Sequence, residues 1–328
     1  MPNVDIVLTE NFPVLSLTLV TEPLRVANRE SVEQIWRWRF LSLEGGMMLS
    51  SSGMPVDTQP LDEQRADVVL VLSSYFPERS VVRPLLSWLQ ARARGGAVMG
   101  CVDTGALIFA EAGLLSRAPA AVHFEALRGY REKFANQMFA DRLFTFSDTR
   151  CSSAGGVATF DMTLGLITHF NGRDLADRVA EILTYRPTEH DGPQQRLLTD
   201  TSLKRLDRNL SKAVDLMLST LDQPMTIEEI ADQVGISLWT LGRLFKRYLK
   251  ETPSAYYRGL RLAEARNLLN NSALRVGDIS ALCGFENPES FARAYRRAYG
   301  VSASADRRGA DQTPDNAKPN PSHGRLRA

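Results

Sequence analysis

The sequence lacks most features of secreted, membrane and metal-binding proteins. Its three cysteines, Cys101, Cys151 and Cys283, are too far apart for a disulfide framework or a zinc pattern. The four histidines have no ligand spacing with one another. No run of about 18 apolar residues occurs, and the N-terminus has neither a basic start nor an apolar stretch. We therefore expect a cytoplasmic protein with no membrane contact, and we identify no metal site and no cofactor motif.

A strong net charge is also absent, since the formal value for the whole chain is +1. This near-neutrality hides a difference between the two halves. Residues 196–308 hold 18 Lys and Arg against 13 Asp and Glu, whereas residues 1–195 hold 18 against 23. A basic second half suits a polyanion such as nucleic acid, although a difference of this size is weak on its own.

The first half alternates between apolar runs and helical stretches. Strand-like runs lie at 4–8, 40–43, 67–72, 97–102 and 143–147. Helices are predicted over 80–94, 104–115, 158–171 and 173–185, the first with Ser80 as its N-cap and Gly95-Gly96 as its stop. Apolar strands that alternate with helices predict an α/β domain over 1–186, in which helices cover both faces of a parallel sheet.

The rest of the chain is predicted to be helical. Residues 187–202 hold two prolines, a glycine and many polar residues, and are predicted to be a linker. Beyond them, apolar residues at helical spacing predict an all-α domain over 203–305. Residues 306–328 have no periodicity and little apolar content, so we expect a disordered tail.

The helical domain contains an internal repeat. Residues 230–255 align with 279–305, and each copy has the pattern of a helix-turn-helix. In the first copy, Thr226 and Glu229 form a predicted capping box. Gly235 stands where the turn needs a left-handed backbone, and Ser237 can cap the next helix. The repeat therefore predicts two helix-turn-helix motifs.

The second helix of each motif is predicted to have a basic outward face. These faces hold Trp239, Thr240, Arg243, Lys246 and Arg247 in the first copy and Glu289, Ser290, Arg293, Arg296 and Arg297 in the second. An arginine early in such a helix can reach guanine edges, and later basic residues suit phosphates. A connecting helix over 253–270 would be about 26 Å long, which suits two readers of successive major grooves of double-stranded DNA. A single copy could be an ordinary helix corner, but two aligned copies favour DNA binding.

Residues 205–305 resemble the DNA-binding domain of AraC/XylS-family transcription regulators. The most specific segment is RVGDISALCGFENPESFARAYRRAYGVS (275–302). The resemblance implies promoter DNA and RNA polymerase as partners, and it favours activation over repression. It places Trp239, Arg243, Glu289, Ser290 and Arg293 at base-reading positions. Gly242 stands where a polar reader is usual, and Ala303 replaces a usual proline.

Residues 1–186 resemble the amidotransferase-like domain that is fused to a subset of those regulators. This domain belongs to the class I glutamine-amidotransferase superfamily, which also contains intracellular proteases and deglycases. The segments that carry the resemblance are 22–29, 36–46, 103–115, 122–134 and 152–167. They look most like the subgroup that senses arginine, carnitine or glycine betaine. The resemblance implies a catalytically silent sensor domain that binds such a small effector and forms a homodimer.

The segment GCVDTGALIFAEAGLL (100–115) predicts a strand, a tight turn and a helix. In the enzymes of this superfamily the apex of this turn is a cysteine, which the helix N-terminus acidifies. Here the apex is Asp103, and Cys101 precedes it by two residues on the strand, where we expect it to pack in the core. We expect Asp103 to be a fixed anion, because a carboxylate at a helix N-terminus is held in its charged form.

The site residues predicted to bind the effector surround this turn. Glu22 aligns with the acid beside the nucleophile of the enzymes, so two acids would share one pocket. The predicted ligand-binding residues are Glu22, Asp103, Thr104, His123, Phe124 and Phe76, with Trp36 and Tyr75 as further aromatics at the rim. Acids with aromatics suit a cation, especially a quaternary ammonium group. Each aromatic could instead pack in the core, and for Arg25 and Arg29 we favour a solvent-exposed face over a role in the pocket.

Two other functions stay open. The chain could be a hydrolase or deglycase that uses Cys101, with His123 as its base, and that carries a DNA-binding domain. It could also be an architectural DNA-binding protein without a ligand. Asp103 at the apex argues against an enzyme, and no residue to orient His123 is visible, so we assign no catalytic residue.

Overall fold

The computed structural model describes residues 1–115, 119–134, 136–187, 206–272 and 274–310. The chain divides into two compact units, Met1–Gln195 and Arg196–Ala328. Among the described helices, none combines the length and the apolar character that a membrane crossing requires. Most of the predicted linker, and the predicted tail beyond residue 310, lie outside the described residues.

The first unit is built on one large sheet. Its strands are β1 (Asn3–Leu8), β2 (Arg37–Ser42), β3 (Glu44–Leu49), β4 (Pro55–Pro60), β5 (Val68–Ser73), β6 (Val98–Asp103), β9 (Phe144–Phe146) and β10 (Arg150–Ser153). They lie in the order β3-β4-β2-β1-β5-β6-β10-β9. Two short strands, β7 (Ala120–Ala121) and β8 (Phe139–Ala140), pair separately. Across the sheet, β4, β2, β1, β5, β6 and β10 pair in parallel, while β3 and β9 add antiparallel edges. The predicted parallel sheet is therefore confirmed, with an antiparallel strand added on each side.

Helices cover both faces of this sheet, as the apolar strands predicted. The helices are α1 (Val14–Arg29), α2 (Arg83–Arg94), α3 (Gly105–Glu111), α4 (Phe124–Lys133), α5 (Ala158–Asn171) and α6 (Arg173–Ile182). α1, α5 and α6 pack with alternate residues of the strands, such as Ile6 and Leu70. α2, α3 and α4 pack with the intervening residues, such as Val69 and Val71. This two-sided burial explains why the central strands are mostly apolar, with Asp5 of β1 as a buried exception that pairs with Arg39.

Three predicted helix boundaries in this unit were wrong, one of them because α6 ends at Ile182 and not at residue 185. Ser80 does not cap a helix, because it ends a 3₁₀ turn (Pro77–Ser80) and α2 begins at Arg83 with Val82 at its N-cap. Pro84 stands in the first turn of α2, where its missing N–H costs no helical hydrogen bond. The helix predicted over 104–115 is shorter and ends at Glu111.

The described part of the second unit is helical. It contains α7 (Arg208–Ser219), α8 (Ile227–Val234), α9 (Leu238–Leu244), α10 (Pro253–Asn271), α11 (Val276–Leu282), α12 (Pro288–Tyr299) and α13 (Ala303–Ala310), with a π-helical turn (Phe245–Leu249) directly after α9. α8 with α9 and α11 with α12 form the two predicted helix-turn-helix motifs. Each turn contains a left-handed glycine, Gly235 with φ of 80° and Gly284 with φ of 70°.

The caps of the first motif follow the sequence prediction. The Thr226 hydroxyl accepts a hydrogen bond from the Glu229 N–H, and the Glu229 carboxylate accepts one from the Thr226 N–H. The Ser237 hydroxyl accepts from the Thr240 N–H at 3.2 Å and so caps α9. Both capping predictions are confirmed.

The predicted start of a disordered tail at residue 306 was wrong. Residues Ala303–Ala310 form α13, and Ala303, which replaces the usual proline, is its buried first residue. Asp306 is buried as well and accepts hydrogen bonds from Arg266 and Tyr295. These partners lie in α10 and α12, so they are not visible in the local composition on which the prediction was based.

Candidate functional site

The turn between β6 and α3 has the tight geometry that its sequence predicted. We call residues 101–105 the elbow. Asp103 at its apex has a φ of 60°, which is uncommon for a residue with a side chain. Gly155 makes room for this side chain, since a Cβ built on Gly155 would lie 2.9 Å from the Cβ of Asp103. The elbow thus holds Asp103 half-buried at the carboxyl edge of the sheet, opposite Ser73 of β5.

Hydrogen bonds from neighbouring segments fix the backbone of the elbow. The buried Thr104 hydroxyl donates to the carbonyl of Ser74, and the Tyr130 hydroxyl donates to the carbonyl of Thr104 at 3.4 Å. Gly105 lies so close to β5 that an added Cβ would be 2.8 Å from the Val71 carbonyl oxygen. Thr104 follows Asp103 in the turn, and its hydroxyl is engaged in shaping the turn.

The expectation that Asp103 is a fixed anion was wrong. Burial raises the pKa of Asp103 to about 7, and the nearby Glu125 carboxylate acts in the same direction. Hydrogen bonds from Ser74 and Thr104 lower this pKa but do not offset the burial. The helix behind the elbow is only seven residues long. Near neutral pH the carboxyl group therefore changes its charge readily, in contrast to a surface aspartate.

Glu22 does not stand in the predicted position beside Asp103. It lies on the outer side of α1, where its carboxylate pairs with Arg25 at 2.8 Å and its side chain is 49% exposed. Ser16 of α1, in contrast, is fully buried and accepts a hydrogen bond from the Thr159 hydroxyl of α5. Glu22 and Ser16 are six residues apart, so they project from different faces of the helix.

Ser16 belongs to a chain of buried hydroxyl groups that leads to the elbow. The Thr159 hydroxyl donates to Ser16 at 3.2 Å and lies 3.1 Å from the Ser153 hydroxyl. The Ser153 hydroxyl accepts from the N–H of Gly155, the residue that packs against Asp103. The sequence analysis missed this chain, whose only sequence signal is the presence of small hydroxyl residues in the SSAGG stretch (152–156).

His123 is the N-cap of α4, and Phe124 and Glu125 are the first two residues of the helix. The His123 ring lies 4.5 Å from the Phe124 ring, and His123 Nδ1 lies 3.7 Å from a Glu125 carboxylate oxygen. Desolvation lowers the pKa of His123 to about 4, so the imidazole is neutral at physiological pH. The Glu125 carboxylate acts electrostatically on Asp103, so the start of α4 lies within electrostatic range of the elbow.

The other predicted aromatics divide between surface and core. Phe76 has a left-handed backbone, with φ of 55°, and the Arg79 guanidinium lies 4.7 Å from its ring centre. Tyr75 lies beside it, at 6.5 Å between ring centres. Trp36, in contrast, is fully buried against Phe170 in the core. The idea that Trp36 reaches the pocket rim was therefore wrong.

Cys101 is a core residue, as expected from its position on β6. It is 1% exposed and packs between the sheet and the helices α2 to α4. Burial raises its pKa far above the usual value, and the nearby Cys151 thiol is affected in the same way. A thiol in this state is neither ionised nor accessible, so its chemistry differs from that of a reactive cysteine.

A cavity in the first unit is lined by residues outside the elbow. Its volume is about 440 Å³, and it is formed at the C-terminal end of α6. The lining residues are Asp177, Ala180, Glu181, Thr184, Tyr185, Arg186 and Pro187. None of them is among the residues predicted to bind an effector.

In the second unit, the predicted DNA-reading side chains project from α9, the π-helical turn and α12. Trp239, Arg243, Lys246, Arg247, Glu289, Arg293, Arg296 and Arg297 are exposed, and Thr240 and Ser290 are half-buried. The opposite faces of α9 and α12 pack into the two cores through Leu241 and Leu244 and through Phe291 and Tyr295. Each recognition helix thus has one apolar face and one basic face.

The aromatic and basic side chains of α9 are preassembled. The Arg243 guanidinium lies 4.7 Å from the Trp239 ring centre, and Trp239 itself is 69% exposed. A tryptophan this exposed is unusual on a free surface and is suited to contact with a partner. The guanidinium donors of a stacked arginine remain available for base edges or phosphates.

The geometry defines the protein as a two-unit molecule in which an α/β domain precedes a double helix-turn-helix domain. A family model described as a helix-turn-helix domain matches residues 230–309. The chain is 36% identical over 304 residues to the HTH-type transcriptional regulator CdhR of Pseudomonas aeruginosa, covering 92% of this chain and 90% of that protein. It is 34% identical over 309 residues to the regulator GbdR of the same species, covering 94% and 84%.

Solved structures match the first unit. An AraC family transcriptional regulator from Pseudomonas putida superposes with a TM-score of 0.52 at 26% identity, over 56% of this chain and all of that one. A ThiJ/PfpI family protein from Pseudomonas syringae has the same fold, with a TM-score of 0.50 at 15% identity, over 64% of this chain and 88% of that one. The chain belongs to the AraC family of helix-turn-helix transcriptional regulators, and its first unit has the ThiJ/PfpI-like fold.

Proposed function

We propose that the first unit binds a small cationic or zwitterionic nitrogen metabolite at the elbow, and that binding changes how the second unit engages promoter DNA. The metabolite class is that of arginine, carnitine and glycine betaine. In this proposal the protein acts in the cytoplasm as a homodimer and activates transcription through RNA polymerase. A ligand changes such an equilibrium only by binding one arrangement of the protein more tightly than the other.

The observation that carries this proposal is the placement of Asp103. The elbow holds the Asp103 carboxyl group half-buried, and the Glu125 carboxylate acts on it electrostatically. His123 and Phe124 directly precede Glu125 in the sequence. The Ser73 hydroxyl, opposite Asp103, is fully buried without a hydrogen-bond partner. Carboxyl groups next to an aromatic ring suit a cation, and a buried hydroxyl without a partner suits a ligand with polar groups.

The raised pKa of Asp103 gives this proposal a specific signature. A cation binds the ionised carboxylate better than the neutral acid, so binding near neutral pH would release a proton. Affinity for a permanently charged ligand such as choline is therefore expected to rise with pH until Asp103 is fully ionised above its pKa of about 7.

A ligand panel tests the proposal directly. The melting temperature of the full chain is measured with betaines, carnitine, choline and basic amino acids at millimolar concentration. A ligand present at about 100 times its Kd stabilises the protein by about 2.7 kcal/mol. Asp103→Asn should abolish the stabilisation by a cation, while Glu22→Gln, at an exposed acid of the same unit, should preserve it. Absence of stabilisation by every compound would contradict an effector of this class.

We further propose that the first unit has no catalytic activity through Cys101. The buried thiol and the aspartate at the apex support this, as do the names of the similar regulators. The test is an assay of ester, amide and glyoxal substrates before and after treatment with a thiol alkylating agent. Turnover that alkylation of Cys101 abolishes would favour the hydrolase alternative.

A further inference from the structure

The DNA-binding unit contains two hydrophobic cores, one for each helix-turn-helix motif. Ile230 lies in the first core and Ile279 in the second. α10 contributes to both, through Tyr257 in the first and Leu262 in the second. A helix that joins two cores fixes their separation, but the angle between them depends on contacts from one motif to the other.

One such contact is made by the turn of the second motif. A Cβ built on Gly284 would lie 2.6 Å from Cδ of Pro224 and 2.7 Å from the carbonyl oxygen of Leu221. Pro224 and Leu221 belong to the loop between α7 and α8, which leads into the first motif. Residue 284 thus packs its backbone directly against the loop that leads into the first motif, at a distance that only glycine permits.

The corresponding glycine of the first motif provides a comparison. Gly235 has nearly the same backbone conformation, with φ of 80° against 70° for Gly284. A Cβ on Gly235 would meet nothing within 4 Å. Both turns need glycine for the left-handed backbone, but only the second also needs it for close packing.

α10 holds both sides of this contact. The Arg261 guanidinium donates to the carbonyl of Cys283 at 2.7 Å and to that of Gly284 at 2.6 Å, and it lies 4.2 Å from the Phe285 ring centre. One helical turn earlier, the Tyr257 hydroxyl donates to the carbonyl of Thr220 at 2.7 Å, directly before Leu221. Residues four apart lie on the same face of a helix, so one face of α10 fixes the turn and the loop together.

We propose that the contact between the Gly284 turn and the 221–224 loop, held by Arg261, sets the angle between α9 and α12. It thereby sets the number of base pairs between the two DNA sites that these helices read. Gly284, Pro224 and Arg261 are positioning residues, since they act on DNA recognition through the placement of the recognition helices. The proposal rests on DNA reading by both α9 and α12.

The experiment uses the full chain and a duplex that the wild-type protein selects from random DNA. Footprinting first verifies that both α9 and α12 sites are occupied. One base pair is then inserted or removed between the sites, which rotates one site by about 35° relative to the other. We expect the wild-type protein to lose at least about tenfold in affinity for either change, the cost of at least one lost base contact.

Variants distinguish a positioning role from a merely structural one. Pro224→Ala and Arg261→Met should reduce the affinity penalty for one base pair to less than about threefold. They weaken the contact between the Gly284 turn and the 221–224 loop, so each motif can keep its own DNA contacts when the spacing changes. Gly284→Ala should act in the same direction. Gly235→Ala is the matched control, since it strains the equivalent turn without affecting the contact between the Gly284 turn and the 221–224 loop. It should lower the melting temperature and keep the wild-type penalty.

Pro224→Ala and Arg261→Met introduce no left-handed strain, so they serve as the test if Gly284→Ala does not fold. A wild-type spacing penalty in both of these folded variants would overturn the proposal. The proposal would also be overturned if Gly235→Ala reduced the one-base-pair penalty as much as Pro224→Ala and Arg261→Met do. The same holds if the wild-type protein bound the duplex with the inserted base pair as tightly as the selected duplex.

Discussion

Replacing Asp306 by asparagine tests whether α13 is docked through a buried carboxylate. Asp306 is 4% exposed. It accepts hydrogen bonds from Arg266 Nε at 3.0 Å and from the Tyr295 hydroxyl at 2.7 Å. The substitution leaves the Arg266 guanidinium without its counter-charge, and losing one partner of a buried pair costs about 3–5 kcal/mol. Since the Arg266 side chain is 19% exposed, water offsets part of this cost, and we expect a loss of about 2–3 kcal/mol.

The assay is urea unfolding of the full chain, followed by circular dichroism, with hydrogen exchange of the α10, α12 and α13 segments to locate the effect. Exchange should accelerate in all three segments, because Asp306 connects them. Asp232→Asn, at an exposed position in α8, is the control and should change stability by less than about 0.5 kcal/mol. A loss below about 0.5 kcal/mol for Asp306→Asn, with unchanged exchange, would refute the reasoning.

Three further predictions concern the DNA-reading helices and the elbow at Asp103. Arg243→Ala and Arg293→Ala should each cost about 1–3 kcal/mol on a selected duplex and relax the preference at one base pair; equal weakening on random DNA would exclude base reading. Lys246→Ala should weaken binding to all sequences and reduce the slope of log affinity against log salt by about one, and an unchanged slope would exclude a phosphate contact. The pKa of Asp103 is raised on folding to about 7, so the folded state binds this proton more tightly than the unfolded state. The stability of the wild-type protein should therefore fall relative to that of Asp103→Asn as the pH rises from about 4 to about 7, and the difference should level off above pH 7. The raised pKa would be contradicted if the melting temperatures of the two proteins changed in parallel across this range.

The features that the sequence predicted well depend on local chemistry. The central strands β1, β5 and β6 are mostly apolar on both faces, so their runs stand out from the polar stretches between them. The first helix-turn-helix motif is marked by the capping box at Thr226 and the left-handed Gly235, which are set by backbone geometry within a few residues. Repetition of the pattern 49–50 residues later strengthened the prediction.

The features that were missed or wrong depend on distant partners. The hairpin of β3 and β4 was missed, because its strands contain glycines, prolines and polar residues and are largely exposed. Trp36 was predicted to reach the rim of the pocket, but it packs in the core against Phe170, which is far along the chain. The charge of Asp103 was misjudged since local sequence indicates the helix N-terminus but not the depth of burial, and burial has the larger effect on its pKa.

The shape of the elbow does not depend on the side chain at its apex. Its backbone is shaped by residues other than the apex, through the hydroxyls of Thr104 and Tyr130 and the close approach of Gly105 and Gly155. The identity of residue 103 is therefore largely uncoupled from the shape of the loop that presents it. A substitution at this position can exchange the chemical group presented at the carboxyl edge of the sheet while the loop keeps its shape.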